Sequence, residues 1–235
     1  RRPGQSVQSD QETQKEKVIE RIAIGTPCYG GSVTCGYASS LASSTSLFYN
    51  EGITLFPIFL PNHSLIPAAR NTVLHEALKR GVDALVWIDA DIEWNPDHLV
   101  RLCSTDRDVV GATYKQKRTD ETVYVMRSEK KIVPDQNGYA EVDGLGCGFL
   151  FVSRKALRDV AEASGKYEDK GVLMRNVFEL EVRDGRLFSE DYVFCRKLRE
   201  AGHKIWLDTG IDLIHHGNLG YVGNIKAYLN EIQVA

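Results

Sequence analysis

The chain lacks a strong charge of either sign. A formal net charge of −3 and a pI near 6.1 give no general basic field. Proteins that grip long nucleic acid by neutralising phosphates are usually more basic. A local basic patch remains open at Lys115, Lys117, Arg118, Lys130 and Lys131. No apolar run reaches transmembrane length, and the first residues do not read as a signal peptide. An initiating Met is also missing, so the chain reads as a processed or excised piece, with cytoplasmic residence expected. The five cysteines, Cys28, Cys35, Cys103, Cys147 and Cys195, are odd in number and have no paired zinc-type spacing. They read as buried free thiols in a reducing compartment. Two phosphate-binding fingerprints are missing as well. Gly144, Gly146 and Gly148 do not sit between a strand and a helix in dinucleotide-binding fashion, and the Gly30-Gly31 loop has no following Lys-Ser/Thr.

What is present is ordinary globular material, 235 residues with 43% hydrophobic and 26% charged. That length holds one full-sized domain. Residues 1–16 are polar and read as a flexible tail or linker, leaving 17–235 as the domain. Strand patterns at Val18–Ile24, Ile53–Leu60, Leu85–Ile88 and Val109–Tyr114 alternate with helical stretches from Tyr37 to Asn50, Ala68 to Lys79 and Asn95 to Cys103. Ser64 is placed to cap the second helix, and Gly81 to stop it. This order predicts a single α/β domain with a mixed, mainly parallel sheet flanked by helices. The second half is less regular. Short strands are expected at Thr122–Met126, Tyr139–Val142, Phe149–Val152, Lys204–Leu207 and Ile211–Ile214. Helices are expected from Lys155 to Ala163 and, capped by Ser189, from Glu190 to Ala201. The segment from Ser164 to Arg186 reads as a mobile loop, and Gly144–Gly148 as a flexible turn.

The strand Leu85–Ile88 ends in Asp89-Ala90-Asp91. In extended chain, i and i+2 share a face, so both carboxylates can address one object. Open α/β sheets bind ligands beyond the carboxyl ends of their strands. Two hard oxygen donors there suit Mg²⁺ or Mn²⁺ on a diphosphate; a solvated turn is the plainer alternative. Glu190 and Asp191 open a helix, where acids favour the dipole and where one can also serve as general base. Of His215 and His216, adjacent on a strand, at most one can share a ligand with the Asp pair. Arg70 offers a planar fork for phosphate, or an ion pair with an acid such as Glu76. His63, His75, His98 and His203 read as structural.

Taken in order, Thr26-Pro27-Cys28-Tyr29-Gly30-Gly31, Ala69-Arg70-Asn71, Ile88-Asp89-Ala90-Asp91-Ile92, Gly146-Cys147-Gly148-Phe149, Ser189-Glu190-Asp191-Tyr192 and His215-His216-Gly217 resemble the motifs of GT-A class nucleotide-sugar glycosyltransferases. The match is closest to small virus- and phage-encoded members and covers Val18 to about Tyr221. The resemblance implies a GT-A-like, Rossmann-like fold and a Mn²⁺- or Mg²⁺-dependent transfer of sugar from a nucleoside-diphosphate sugar, with a UDP-sugar expected first. It implies that Thr26, Pro27 and Tyr29 line the nucleotide pocket. Asp89 approaches ribose or metal, and Asp91 and His215 bind the metal. Arg70 holds the donor, Lys117 adds charge near the diphosphate, and Gly146 and Gly148 form a floor under donor sugar or acceptor. Asp191, with Glu190 second, deprotonates the acceptor hydroxyl if the enzyme inverts; if it retains, the same acid orients the sugar. Glycan, protein and modified-DNA acceptors all stay open, as does the oligomeric state. Two other functions compete: a nucleotidyltransferase, disfavoured because Gly25–Gly31 has no Lys or Arg, and a non-catalytic nucleotide-sugar or glycan-binding module.

Overall fold

The structure, a computed structural model, describes residues 19–217 and 219–234. The expected tail at 1–16 and the start of the first strand at Val18 lie outside the described residues. In chain order the first half runs β1 (Arg21–Cys28), α1 (Cys35–Asn50), β2 (Thr54–Pro61), α2 (Ile66–Lys79), β3 (Ala84–Ile88), β4 (Ile92–Trp94), α3 (Pro96–Cys103) and β5 (Val109–Gly111). The second half runs β6 (Met126–Arg127), β7 (Tyr139–Val142), β8 (Gly144–Leu145), β9 (Phe149–Ser153), α4 (Arg154–Ala163), β10 (Lys166–Asp169), β11 (Val172–Arg175), β12 (Glu181–Arg183) and β13 (Arg186–Phe188). It closes with α5 (Glu190–Glu200), β14 (Ile205–Asp208), β15 (Leu213–His216), β16 (Gly220–Val222) and α6 (Ile225–Val234).

The central sheet has seven strands in the order β2-β1-β3-β9-β5-β14-β7. Strands β1, β2 and β3 pair in parallel, as do β5 and β14, while β9 runs antiparallel to both β3 and β5, and β7 antiparallel to β14. Five strands therefore point one way and two the other, the mixed, mainly parallel sheet expected. Side chains alternate across it. Leu85 and Trp87 of β3 face a core shared with Val73, Leu74, Leu157 and Phe194, from α2, α4 and α5. Val86 and Ile88 face the opposite core with Tyr37, Phe48 and Leu99, from α1 and α3. Trp87 is fully buried, and truncating such a side chain costs about 3–5 kcal/mol.

Four local expectations are corrected. The N-cap of α2 is Leu65, not Ser64, and it makes no side-chain capping bond. The segment 164–186 is not a structureless loop: it carries the β10–β11 hairpin and most of the β12–β13 hairpin. Nor is Gly144–Gly148 a flexible turn, because these residues are buried and Gly144-Leu145 pairs with β6. The strand expected from Ile211 begins at Leu213, which places His215 and His216 inside it. A smaller three-stranded sheet, β16-β15-β4, joins that strand to the residues just after Asp91.

Candidate active site

A cleft of about 600 Å³ opens at the carboxyl ends of β1 and β3. Pro27, Tyr29, Arg70, Asp89, Asp91, Glu190, Asp191 and His215 all line it. Strand β3 delivers Asp89, whose amide donates to the Gly148 carbonyl at 3.2 Å, and a turn closed by Ile92 N on Asp89 O carries the chain to Asp91. The antiparallel pairing of β4 with β15 sets His215 opposite Ile92, and His216 N donates to the Asp91 carbonyl at 2.7 Å. His215 Nε2 then lies 3.6 Å from Asp91 Oδ1. His216 turns away and meets Glu93 at 2.6 Å, so only one of the two histidines faces the acidic pair. A second groove, of about 650 Å³ over α1 and β2, has no charged side chain in its lining and offers no comparable chemistry.

Each carboxylate of the pair has its own cation. Arg70 Nη2 donates to Asp89 Oδ1 at 2.9 Å, and its Nε reaches Glu190 Oε1 at 3.4 Å. The guanidinium is buried and rests against Trp87 and Phe178. Burial works to lower its pKa, but Asp89 and Glu190 outweigh that and hold it firmly charged. Glu76 pairs instead with Lys79 and Arg80. Arg70 Nη1 is buried with no hydrogen-bond partner, a costly state that a ligand oxygen would relieve. Lys117 Nζ lies 2.5 Å from Asp91 Oδ2. Burial works to raise the Asp91 carboxyl, but His215 and Lys117 prevail and bring it down to about 2.

The orientation of His215 follows from its other nitrogen. Nδ1 lies 2.9 Å from the Lys115 carbonyl, which can only accept, so Nδ1 carries a proton. In the neutral ring Nε2 then presents a lone pair to a carboxylate oxygen. Two acceptors facing one another are stable only with a cation or proton between them, and a second-shell bond to a carbonyl is how metal-binding imidazoles are usually fixed. Among the described residues no three His, Cys, Asp or Glu side chains form a ready metal cage. Asp91 and His215 are the side chains that could hold an ion here, and an ion held by so few takes its remaining ligands from phosphate and water, as Mg²⁺ does.

Glu190 and Asp191 start α5 but differ in commitment. Glu190 is tied to Arg70. Asp191 accepts from Ser189 Oγ and from Tyr192 N at 2.8 Å, both on Oδ1, which leaves Oδ2 uncommitted. Ser189 thus caps no backbone amide with its side chain.

Three sequence-predicted residues lie elsewhere. Thr26 is buried behind the cleft, its hydroxyl 2.6 Å from that of Tyr37. Gly146 and Gly148 are buried beneath Tyr114: a Cβ on Gly148 would come within 2.4 Å of the Tyr114 ring. The glycines serve to seat that ring, and Tyr114, not they, lines the cleft. Its hydroxyl donates to Asp89 Oδ2 at 3.4 Å, and its ring meets His215 edge-on at 4.9 Å. Tyr114 is the main residue that sequence reasoning missed. Its place just past β5 was the available signal, because β5 points the same way as β3.

Fold and cleft together define a mixed, mainly parallel α/β domain with a carboxylate-lined cleft at the end of its sheet. No protein-family model matches the sequence, and no curated protein matches it. Among solved structures the chain is similar to A197 from STIV, at 18% identity over 84% of this chain and 86% of that one, with a TM-score of 0.54. It is less similar to TarS 1–349 from S. aureus, at 15% identity over 80% and 57% of the two chains and a TM-score of 0.44. A glycosyltransferase involved in the glycosylation of the major capsid of PBCV-1 follows, at 14% identity, 58% and 62% coverage and a TM-score of 0.34. At such identities the likeness to A197 is one of fold, and the two lower scores add nothing to it. Among the described residues no helix is long and apolar enough to cross a membrane.

Proposed function

We propose that this chain is a metal-dependent glycosyltransferase, moving a sugar from a nucleoside-diphosphate sugar to an acceptor hydroxyl. A UDP-sugar is the first donor to test, and a glycan, a protein or a modified nucleobase are the acceptor classes. One observation carries the proposal: Asp91, with His215 at 3.6 Å, shares a cleft with Arg70, Asp89 and the half-committed Asp191. That set matches what sugar transfer demands.

The difficult event is departure of a nucleoside diphosphate as negative charge develops on it. Asp91 and His215 would hold the divalent ion, whose chemistry is to neutralise that charge and orient the leaving group. Asp89, engaged by Arg70 and Tyr114, would approach the donor's ribose or the ion. Arg70 has a free Nη1 proton donor for a donor oxygen. Pro27 and Tyr29, at the end of β1, flank the nucleotide. Asp191 Oδ2 takes the acceptor proton in an inverting transfer, and in a retaining one it steadies the sugar. Glu190, committed to Arg70, is the weaker base.

The test is calorimetric titration of UDP, GDP and dTDP with Mn²⁺ and then with EDTA, on the wild type and on Asp91→Ala. Metal-dependent binding of one nucleotide, abolished in Asp91→Ala, is expected. Equal affinity in the variant would remove Asp91 from the ion site.

A further inference from the structure

Among the described residues Lys117 is the one lysine in direct contact with the acidic pair, and its approach is built into the backbone. The stretch 114–125 folds back on itself, with Gln116 N on Val123 O and Val125 N on Tyr114 O. From this stretch the Lys115 carbonyl orients His215 while the Lys117 ammonium reaches Asp91. The lysine stem runs over Gly217, where an added Cβ would lie 3.0 Å from Lys117 Cδ. The glycine of His215-His216-Gly217 thus leaves the track on which the lysine lies. Both partners of the ion pair remain about one-third exposed, 37% for Lys117 and 34% for Asp91, so the ammonium is held but not locked in.

A divalent ion on Asp91 and an ammonium on the same carboxylate repel each other strongly at contact distance. The carboxylate cannot keep both at full strength. A diphosphate bound at the same place brings negative charge that a compact, three-donor ammonium satisfies well. We propose that Lys117 is a resident counter-ion that competes with the divalent ion for Asp91 and moves to the donor's diphosphate once the ion has displaced it. This rests on the donor-site reading above. Metal and nucleotide then load as an exchange, each making room for the other.

The experiment is a Mn²⁺ titration followed by electron paramagnetic resonance of the free ion, on wild type, Lys117→Met and Lys117→Arg. It is repeated with the nucleoside diphosphate that the wild type binds. Methionine keeps the stem on Gly217 and removes the charge. Without nucleotide, Lys117→Met is expected to bind Mn²⁺ about tenfold more tightly, and Lys117→Arg like wild type. At saturating Mn²⁺, Lys117→Met is expected to bind the nucleotide about tenfold more weakly. Unchanged or weakened Mn²⁺ binding in Lys117→Met overturns the competition, even if nucleotide binding falls. A wild type that takes up neither Mn²⁺ nor any nucleoside diphosphate overturns the donor site itself and this proposal with it.

Discussion

Asn71 holds Phe178 from both sides. Its Nδ2 donates to the Phe178 carbonyl at 2.9 Å, and its Oδ1 accepts from the Phe178 amide at 2.8 Å. The same oxygen also accepts from Val177 N at 3.1 Å. Asn71 follows Arg70 on α2, so adjacent residues grip two things: Arg70 the carboxylates, Asn71 the strand of chain that leads into β12, β13 and α5. Phe178 in turn packs on Trp87 and Phe194. Asn71→Ala leaves three buried backbone groups without partners and is expected to cost about 2–4 kcal/mol, measured by urea unfolding. A loss under 1 kcal/mol, about what a single ordinary hydrogen bond contributes, would mean that water replaces the clamp.

Arg70 gives the second prediction. Replacing it by Met leaves Asp89 and Glu190 without their shared cation. Both carboxylates are partly exposed, so losing their charged hydrogen bonds costs about 1.5–3 kcal/mol. A sharp fall in melting temperature is expected, partly restored by adding Glu190→Gln. No restoration would show that lost packing on Trp87 and Phe178, not unpaired charge, dominates.

The two acids at the start of α5 are separable kinetically. Asp191→Asn is expected to leave nucleotide binding intact and slow transfer by about 10²–10⁴-fold, the usual worth of a positioned base. Glu190→Gln is expected to act mainly on stability and donor binding through Arg70. Normal transfer by Asp191→Asn would take the base role from it.

Tyr114 and Gly148 make a steric pair. Gly148→Ala drives a methyl into the ring and is expected to destabilise by about 1–3 kcal/mol, as overpacking does. The displaced ring also meets His215, so Mn²⁺ affinity falls with it. Tyr114→Leu in the same chain returns most of the stability; a double variant no better than Gly148→Ala alone would point to backbone strain instead.

The acidic pair is legible in the sequence because a run of buried residues ends on it, and burial in a parallel strand has few other patterns. The β1–α2–β3 half is legible for the same reason, with helix caps off by a residue or two. The partners are not. Nothing at Arg70 says whether it meets Glu76, six residues on, or turns inward to Asp89 at the end of β3. Lys117 reaches Asp91 only because 114–125 doubles back, and local sequence does not encode that path. Gly146 and Gly148 mislead in an instructive way, since a glycine seating a ring looks the same on paper as a glycine admitting a ligand. The β10–β11 and β12–β13 hairpins escaped because their strands are short and their exposed faces carry Leu173, Val182 and Leu187 without clean alternation.

The ladder between β4 and β15 decides when the cleft comes into being. Asp89, Asp91 and Lys117 leave the ribosome well before Leu213–His216, and until that strand docks, the His215 imidazole is absent from Asp91. Pairing so distant in sequence is paid in loop entropy and forms late. A chain that stops before Leu213 therefore has Asp91 without its imidazole neighbour. The full set of side chains that lines the cleft is together only after nearly all of the chain has been synthesised and folded.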